Sequence, residues 1–171
     1  GSFVYATNYN SNTVSAYTIN TSSGVLTAVG PAVATGSAPR SITVDPTGKF
    51  AFVANNSSND VSAYAINATT GALTSVGPAV ATGSGPISVT VDPSGRFAYF
   101  VNNNSSNVSA YTINPATGAL TSVGSAVPTG TSPISVTVDP SGRFAYAANN
   151  SSNDVSTYAI NATTGALTSV G

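Results

Sequence analysis

The sequence predicts an all-β fold, a β-propeller of four-stranded antiparallel blades with about four blades in the chain. Three observations carry this prediction: a 47-residue repeat, four short runs of alternating apolar and polar residues in each repeat, and turn-forming segments between the runs. Repeats of roughly 40 to 50 residues with four sequential strands are typical of propeller blades. The 47-residue spacing is marked by Phe3, Phe50, Phe97 and Phe144.

The register of the repeat places a single repeat domain over residues 1–171. Residues 1–30 form an incomplete blade with strands b, c and d, and three complete blades follow at 31–77, 78–124 and 125–171. Strand a is the innermost strand of each complete blade. The same spacing links a tyrosine in every strand c, at Tyr17, Tyr64, Tyr111 and Tyr158.

The third unit shows the four predicted strands. They cover residues 87–91 (a), 97–101 (b), 108–113 (c) and 119–123 (d), and each alternates as a half-buried strand does. The alternative all-β architecture is a β-solenoid, whose coils are shorter and need no Pro-Gly hairpin in every unit. The hairpins therefore favour the propeller.

Turn residues separate these strands. Between a and b lies Asp92-Pro93-Ser94-Gly95, in which proline presets φ for a type I turn and glycine accepts the left-handed position. The Asn and Ser run at 102–107 separates b from c, and residues 114–118 separate c from d. The equivalent aspartates, Asp45 and Asp139, are expected to cap the same turn.

Composition limits the partners. Charged residues make up 5% of the chain, against about a quarter in an average soluble protein, and the net charge is −1 with four basic residues. Neither nucleic acid binding nor membrane insertion is expected, because both need more basic residues or a long apolar segment. The charge-poor composition, rich in Ser, Thr and Asn, suggests a secreted or cell-surface bacterial protein.

The available side chains also limit catalysis. The sequence contains no His, Cys or Glu, which are the usual general bases and nucleophiles. Each Asn and Ser loop offers at most one carboxylate, whereas tight calcium sites use several. We therefore predict no catalytic residue, no metal site and no cofactor.

Five residues are candidates for contacting a ligand. Arg40 departs from the repeat, because the equivalent positions hold Ile87 and Ile134, and it lies just before an inner strand, near the mouth of the channel. The b–c loops share one face with the d–a connections, and that polar face suits a glycan or peptide. Its candidate residues are Tyr9, Asn55, Asn102 and Asn149.

Two segments resemble a known family. Residues 3–8 together with 12–17 are similar to the YVTN-type repeat, and residues 44–50 resemble the D-P-x-G-[KR] turn of lactonase-like propellers. The resemblance covers the whole chain. It implies a ring of seven blades, in a family whose enzymes act on lactones such as 6-phosphogluconolactone.

Two functions follow from different features. The near identity of the units favours a non-enzymatic binding or structural scaffold, since a catalytic site places unlike residues on different blades. The resemblance implies instead a lactonase-like hydrolase or isomerase. Because the first blade lacks its innermost strand, we also expect self-association as a homodimer that completes a ring; the alternative is a piece of a larger propeller.

Overall fold

The computed structural model describes residues 2–170, which form strands joined by turns. Gly1 and Gly171, the outermost residues of the predicted domain, lie outside the described residues. Within the described part of the chain, no helix is long and apolar enough to cross a membrane. The strands are β1 Phe3–Asn8, β2 Thr13–Ile19, β3 Leu26–Ala28, β4 Val33–Ala34, β5 Pro39–Val44, β6 Phe50–Asn55, β7 Asp60–Ile66, β8 Leu73–Ser75, β9 Val80–Ala81, β10 Pro86–Val91, β11 Phe97–Asn102, β12 Asn107–Ile113, β13 Leu120–Ser122, β14 Val127–Pro128, β15 Pro133–Val138, β16 Phe144–Asn149, β17 Asp154–Ile160 and β18 Leu167–Ser169.

The strands form four antiparallel sheets, one for each predicted unit. Three sheets have the order a-b-c-d, as β5-β6-β7-β8, β10-β11-β12-β13 and β15-β16-β17-β18, and the first contains β1-β2-β3 as strands b, c and d. The innermost strands β5, β10 and β15 contact one another in sequence, and β1 contacts β5. The predicted all-β propeller architecture of about four blades is therefore confirmed.

The short strands β4, β9 and β14 are absent from the sequence prediction. They pair with β2, β7 and β12, the third strands of the preceding blades. A two-residue strand shows no periodicity, so sequence alternation cannot reveal it. These segments tie the d–a connection to the blade that it leaves.

The hairpin between strands a and b is held by its aspartate, as predicted. The Asp92 carboxylate accepts hydrogen bonds from the backbone N–H groups of Ser94 (3.1 Å), Arg96 (2.8 Å) and Phe97 (2.7 Å), and from the Ser94 hydroxyl. Asp45 and Asp139 make the same set of contacts in their own blades. The Asp92 side chain therefore satisfies three backbone donors of the turn, and the N–H of Gly95 donates to the Asp92 backbone carbonyl (2.9 Å).

Successive blades join through a phenylalanine and a glycine. A Cβ added to Gly118 would overlap the ring of Phe50, and one added to Gly165 would overlap the ring of Phe97. Both glycines have φ of +75°, which L side chains rarely adopt. The c–d turns of the second, third and fourth blades thus need glycine in order to lie against the aromatic ring of the blade before them.

Tyrosine hydroxyls add a second tie between blades. In strand c, Tyr64 donates to the carbonyl of Ala34 (2.6 Å), and Tyr111 donates to that of Ala81 (2.7 Å). Burial raises the pKa of both phenols. Tyr64 and Tyr111 are therefore buried core residues whose hydroxyls are satisfied by backbone carbonyls.

The exposed hairpin of the fourth blade predicts a pH effect. The Ser141 hydroxyl, followed by the backbone N–H of Phe144, lowers the pKa of Asp139 from 3.8 to about 2. Because folding depresses this pKa, the stabilisation is complete above the unfolded value and is lost as the pH falls through about 2. An NMR titration of the Asp139 carboxyl carbon should show a midpoint near 2, raised in Ser141→Ala. A midpoint near 4 in the unsubstituted chain would contradict this.

Candidate ligand site at the channel mouth

Two residues that depart from the repeat meet in the structure. The guanidinium carbon of Arg40 lies 4.7 Å from the centroid of the Tyr9 ring, although the two residues come from different blades. Both side chains are exposed, and 43% of Tyr9 is accessible. This geometry is a cation–π contact, which holds the guanidinium in place while its N–H groups stay available.

A β-bulge positions Arg40. The pairing of β5 with β6 shifts register between Pro39 and Ser41, so that Arg40 is the extra residue. The same bulge recurs in β10 and β15, where the extra residues are Ile87 and Ile134. Bulges re-aim a side chain. In the second blade the bulge presents a cation at the start of an innermost strand, at the end of the sheet where the b–c loops lie.

Tyr9 occupies a position that is structural in the later blades. There the equivalent Asn56 and Asn103 donate from their amides to the carbonyls of Pro86 (3.3 Å) and Pro133 (3.0 Å) on the following blade. Tyrosine cannot reproduce that amide contact. Between the first two blades, an exposed aromatic ring beside an arginine therefore takes the place of this hydrogen bond.

The b–c loops and d–a connections share one side of the molecule, which we call the loop face (residues 9–12, 56–59, 103–106 and 150–153 with the connections 35–38, 82–85 and 129–132). Asn12 has a φ of +55°, and its side-chain oxygen accepts from the backbone N–H of Ala38 (2.7 Å). Asn59 accepts in the same way from Gly85 (2.8 Å). The Asn12 contact fixes the connection that leads to Arg40.

The three asparagines predicted as ligand contacts are buried instead of presented on the loop face. Asn55 ends strand b, and its amide donates to the Asp60 carboxylate (2.7 Å) and the Ser62 hydroxyl (2.9 Å). Asn102 and Asn149 make the equivalent pairs of hydrogen bonds. The side chains are buried because each amide N–H₂ group crosses the b–c hairpin and donates inside it, while the side-chain oxygens of Asn55 and Asn149 are buried without a hydrogen-bond partner.

The remaining basic residues lie at the opposite end of the blades. Lys49, Arg96 and Arg143 follow the a–b turn, and Arg96 donates to the carbonyl of Ala162 (2.5 Å) in the next blade. Arg96 and Arg143 also cover the rings of the phenylalanines that follow them. Arg40 alone among the four basic residues therefore lies at the end of the blades where the b–c loops are.

Two other features of the described residues bear on the site. A cleft of about 360 Å³ lies between the first two blades, at the turn end, with an apolar lining that includes Phe3, Tyr5, Val44 and Ile66. It offers no charged side chain to a ligand. Within residues 2–170, no group of His, Cys, Asp or Glu is placed to hold a metal ion.

Three solved structures similar to this chain come from bacteria. A "putative 6-phosphogluconolactonase" from Bacteroides uniformis shares 25% identity with a TM-score of 0.90, and the match covers 99% of this chain and 50% of that one. The Bacteroides fragilis protein of the same description shares 25% identity with a TM-score of 0.87, over 99% and 51%. The periplasmic gluconolactonase of Pseudomonas aeruginosa has the same fold, with 22% identity and a TM-score of 0.87 over 100% and 50%. The chain thus spans about half the length of these proteins.

These similarities correct the location expected from composition. Two of the three proteins are described as 6-phosphogluconolactonases and one as periplasmic, which contradicts a secreted or cell-surface assignment. The low charge has a structural origin, because the turns of every repeat use Asn, Ser, Thr and Gly for side-chain caps and positive φ. The low fraction of charged residues therefore follows from the turns of the repeat and does not indicate a cellular compartment.

The sequence itself matches one family profile over its whole length. Residues 1–90 and 79–171 each match the family described as "Lactonase, 7-bladed beta-propeller". Among curated protein sequences, none is significantly similar to this chain. The repeat, the four blades and this match agree with one another, and the chain belongs to the lactonase family of seven-bladed β-propellers.

Proposed function

We propose that this chain forms part of a lactonase-type propeller that hydrolyses a sugar-acid lactone, with Arg40 and Tyr9 binding the substrate at the channel mouth. The observation that carries the proposal is the contact between Arg40 and Tyr9, two residues that depart from the repeat. The family match and the descriptions of the two Bacteroides proteins support the substrate class.

The chemistry of the pair suits such a substrate. A guanidinium binds a carboxylate or phosphate oxygen through two N–H groups, and an exposed tyrosine ring offers a flat apolar surface to the C–H face of a sugar. Lactone hydrolysis adds water to the carbonyl carbon and breaks the ring C–O bond, so negative charge develops on the carbonyl oxygen. Donors such as those of Arg40 stabilise that charge.

Proton transfer limits what the described residues can do alone. The sequence contains no His, Cys or Glu, and its turn aspartates accept backbone hydrogen bonds. Asp60 and Asp154 accept from the buried Asn55 and Asn149. The role proposed for this chain is therefore substrate binding and charge stabilisation, with water as the nucleophile.

The lack of a free general base in the sequence favours a second candidate function. In this alternative the same site binds a sugar acid or an acidic glycan and catalyses nothing. The two candidates share Arg40 and Tyr9 and differ in turnover, so one set of variants distinguishes them.

The test uses Arg40→Ile, which restores the repeat residue, with Arg143→Ile at the turn end as the matched control. We expect the unsubstituted chain to hydrolyse 6-phosphogluconolactone faster than buffer does. Arg40→Ile should weaken binding of the product anion by about tenfold, because one charge-assisted contact at an exposed site is lost. Arg143→Ile should change neither the rate of hydrolysis nor the affinity for the product anion.

The measurements are a pH-stat assay of acid release and calorimetric titration with 6-phosphogluconate. Binding without turnover would support the non-catalytic alternative. Equal binding by the Arg40→Ile and unsubstituted chains would contradict both.

A further inference from the structure

The loop of the first blade that carries Tyr9 also carries Asn12. Tyr9 begins this loop and Asn12 ends it, and the strand pairing of Asn8 with Thr13 closes the loop at its base. Tyr9 and Asn12 therefore flank one closed four-residue turn. A contact that fixes Asn12 also fixes the backbone from which the Tyr9 ring projects.

Asn12 holds the connection between the first two blades at two points. Its backbone carbonyl accepts a hydrogen bond from the N–H of Thr35 (2.9 Å), and its side-chain oxygen accepts from the N–H of Ala38 (2.7 Å). Arg40 follows two residues after Ala38. Asn12 therefore fixes the backbone next to Arg40 relative to the loop that carries Tyr9.

The backbone conformation of Ala38 needs this support. Its φ is +54°, a left-handed value that is unfavourable for alanine, whereas the equivalent residue of the third blade is Gly85, which adopts a φ of +67° at little cost. Ala38 is also buried, so its N–H has little access to water if its acceptor is removed. Loss of the Asn12 side chain therefore favours a different φ at Ala38 and a different direction for Arg40.

The contact between Arg40 and Tyr9 is too weak to hold itself in place. Both side chains are exposed, and an exposed cation–π contact contributes less free energy than an arginine side chain loses when its rotamers are fixed. The 4.7 Å separation of the guanidinium carbon from the ring centroid therefore depends on backbone that is already in place.

We propose that Asn12 is a positioning residue of the ligand site, which holds Arg40 against Tyr9 before a ligand binds. This role rests on the proposed function, whereas the arrangement of the two side chains is a property of the ligand-free chain. A pair that is already arranged loses less conformational entropy when it binds an anion.

The later blades supply matched positions. Asn59 accepts from the N–H of Gly85 (2.8 Å) and the Ser106 hydroxyl accepts from the N–H of Ser132 (3.3 Å), on connections that lead to isoleucine instead of arginine. Asn59 and Ser106 also share the left-handed backbone of Asn12, with φ of +56° and +50°. Serine is therefore compatible with this place in the loop, and the same substitution one blade later tests the loop without the site.

The test compares Asn12→Gly with Asn59→Gly as the matched control, because glycine accepts the left-handed φ and removes the side-chain acceptor. In the ligand-free chain, NMR measures the upfield ring-current shift that the Tyr9 ring imposes on the Arg40 side-chain protons. Tyr9→Asn, which removes the ring, gives the value without the contact. We expect Asn12→Gly to lose most of the shift, Asn12→Ser to keep part of it and Asn59→Gly to keep all of it.

Ligand binding is measured separately, by calorimetric titration with 6-phosphogluconate. The affinity of Asn12→Gly should be about threefold lower than that of the unsubstituted chain, because one neutral hydrogen bond that positions Arg40 is lost. A full ring-current shift in Asn12→Gly, an equal loss in Asn59→Gly, or an unchanged affinity in a chain that binds the anion would overturn the proposal. A shift that is lost only in Asn12→Gly, in a chain that binds no 6-phosphogluconate, would contradict the proposed function and still support the positioning of Arg40 by Asn12.

Discussion

Replacing Phe97 with alanine is expected to lower the free energy of unfolding by about 3 to 5 kcal/mol. The ring is 4% exposed and lies in the cluster between the third and fourth blades, against the c–d turn that contains Gly165. Because that turn is built around the ring, the blades cannot close over the space that alanine leaves. Urea unfolding followed by circular dichroism measures the change.

Phe144→Ala is the matched control for this substitution. Phe144 occupies the same repeat position but is only partly buried, since none of the described residues forms a following blade. At concentrations below those of self-association, its replacement should cost less than half as much. Equal losses at the two positions would show that contacts between blades do not determine the stability of the propeller.

Replacing Asp92 with alanine is expected to lower the free energy of unfolding by about 2 to 4 kcal/mol. The substitution leaves three backbone N–H groups of the a–b hairpin without their acceptor, and the site is nearly closed to water because Asp92 is 4% exposed. Buried donors without a partner cost more than exposed ones. The same urea unfolding assay measures the loss.

Asp139→Ala provides the control, because Asp139 makes the same hydrogen bonds in an exposed hairpin. Water can replace its carboxylate, so the loss should be clearly smaller. If Asp92→Ala lowered the free energy of unfolding no more than Asp139→Ala does, burial of the carboxylate would not explain how strongly this turn stabilises the fold.

The strands and turns of the fold could be predicted because the repeat presents each of them several times. Period-two alternation identifies strands such as β10, and Asp-Pro-Ser-Gly identifies the hairpin after it. The short strand β14 escapes prediction, because a two-residue pairing depends on where the d–a connection passes and not on side-chain alternation.

The candidate site was predictable in part. Arg40 stands out in the sequence because it replaces isoleucine, but its contact with Tyr9 depends on the bulge in β5 and on the angle between two blades. A sequence pattern indicates that Asn55 is buried, although the polar composition of the loop suggests exposure. Every strand b ends in asparagine, with a polar residue five positions later and serine seven positions later. That spacing places both partners across the hairpin.

The most direct test of the site is an NMR titration of the isotopically labelled chain with 6-phosphogluconate. We expect the largest chemical-shift changes at the Arg40 Nε–H and the Tyr9 ring, with the Arg96 and Arg143 Nε–H signals unchanged. Tyr9→Asn, which restores the repeat residue, should reduce the Arg40 response. Shifts centred on the a–b hairpins, or no shift at Arg40 and Tyr9 at saturating ligand, would contradict a ligand site at the channel mouth.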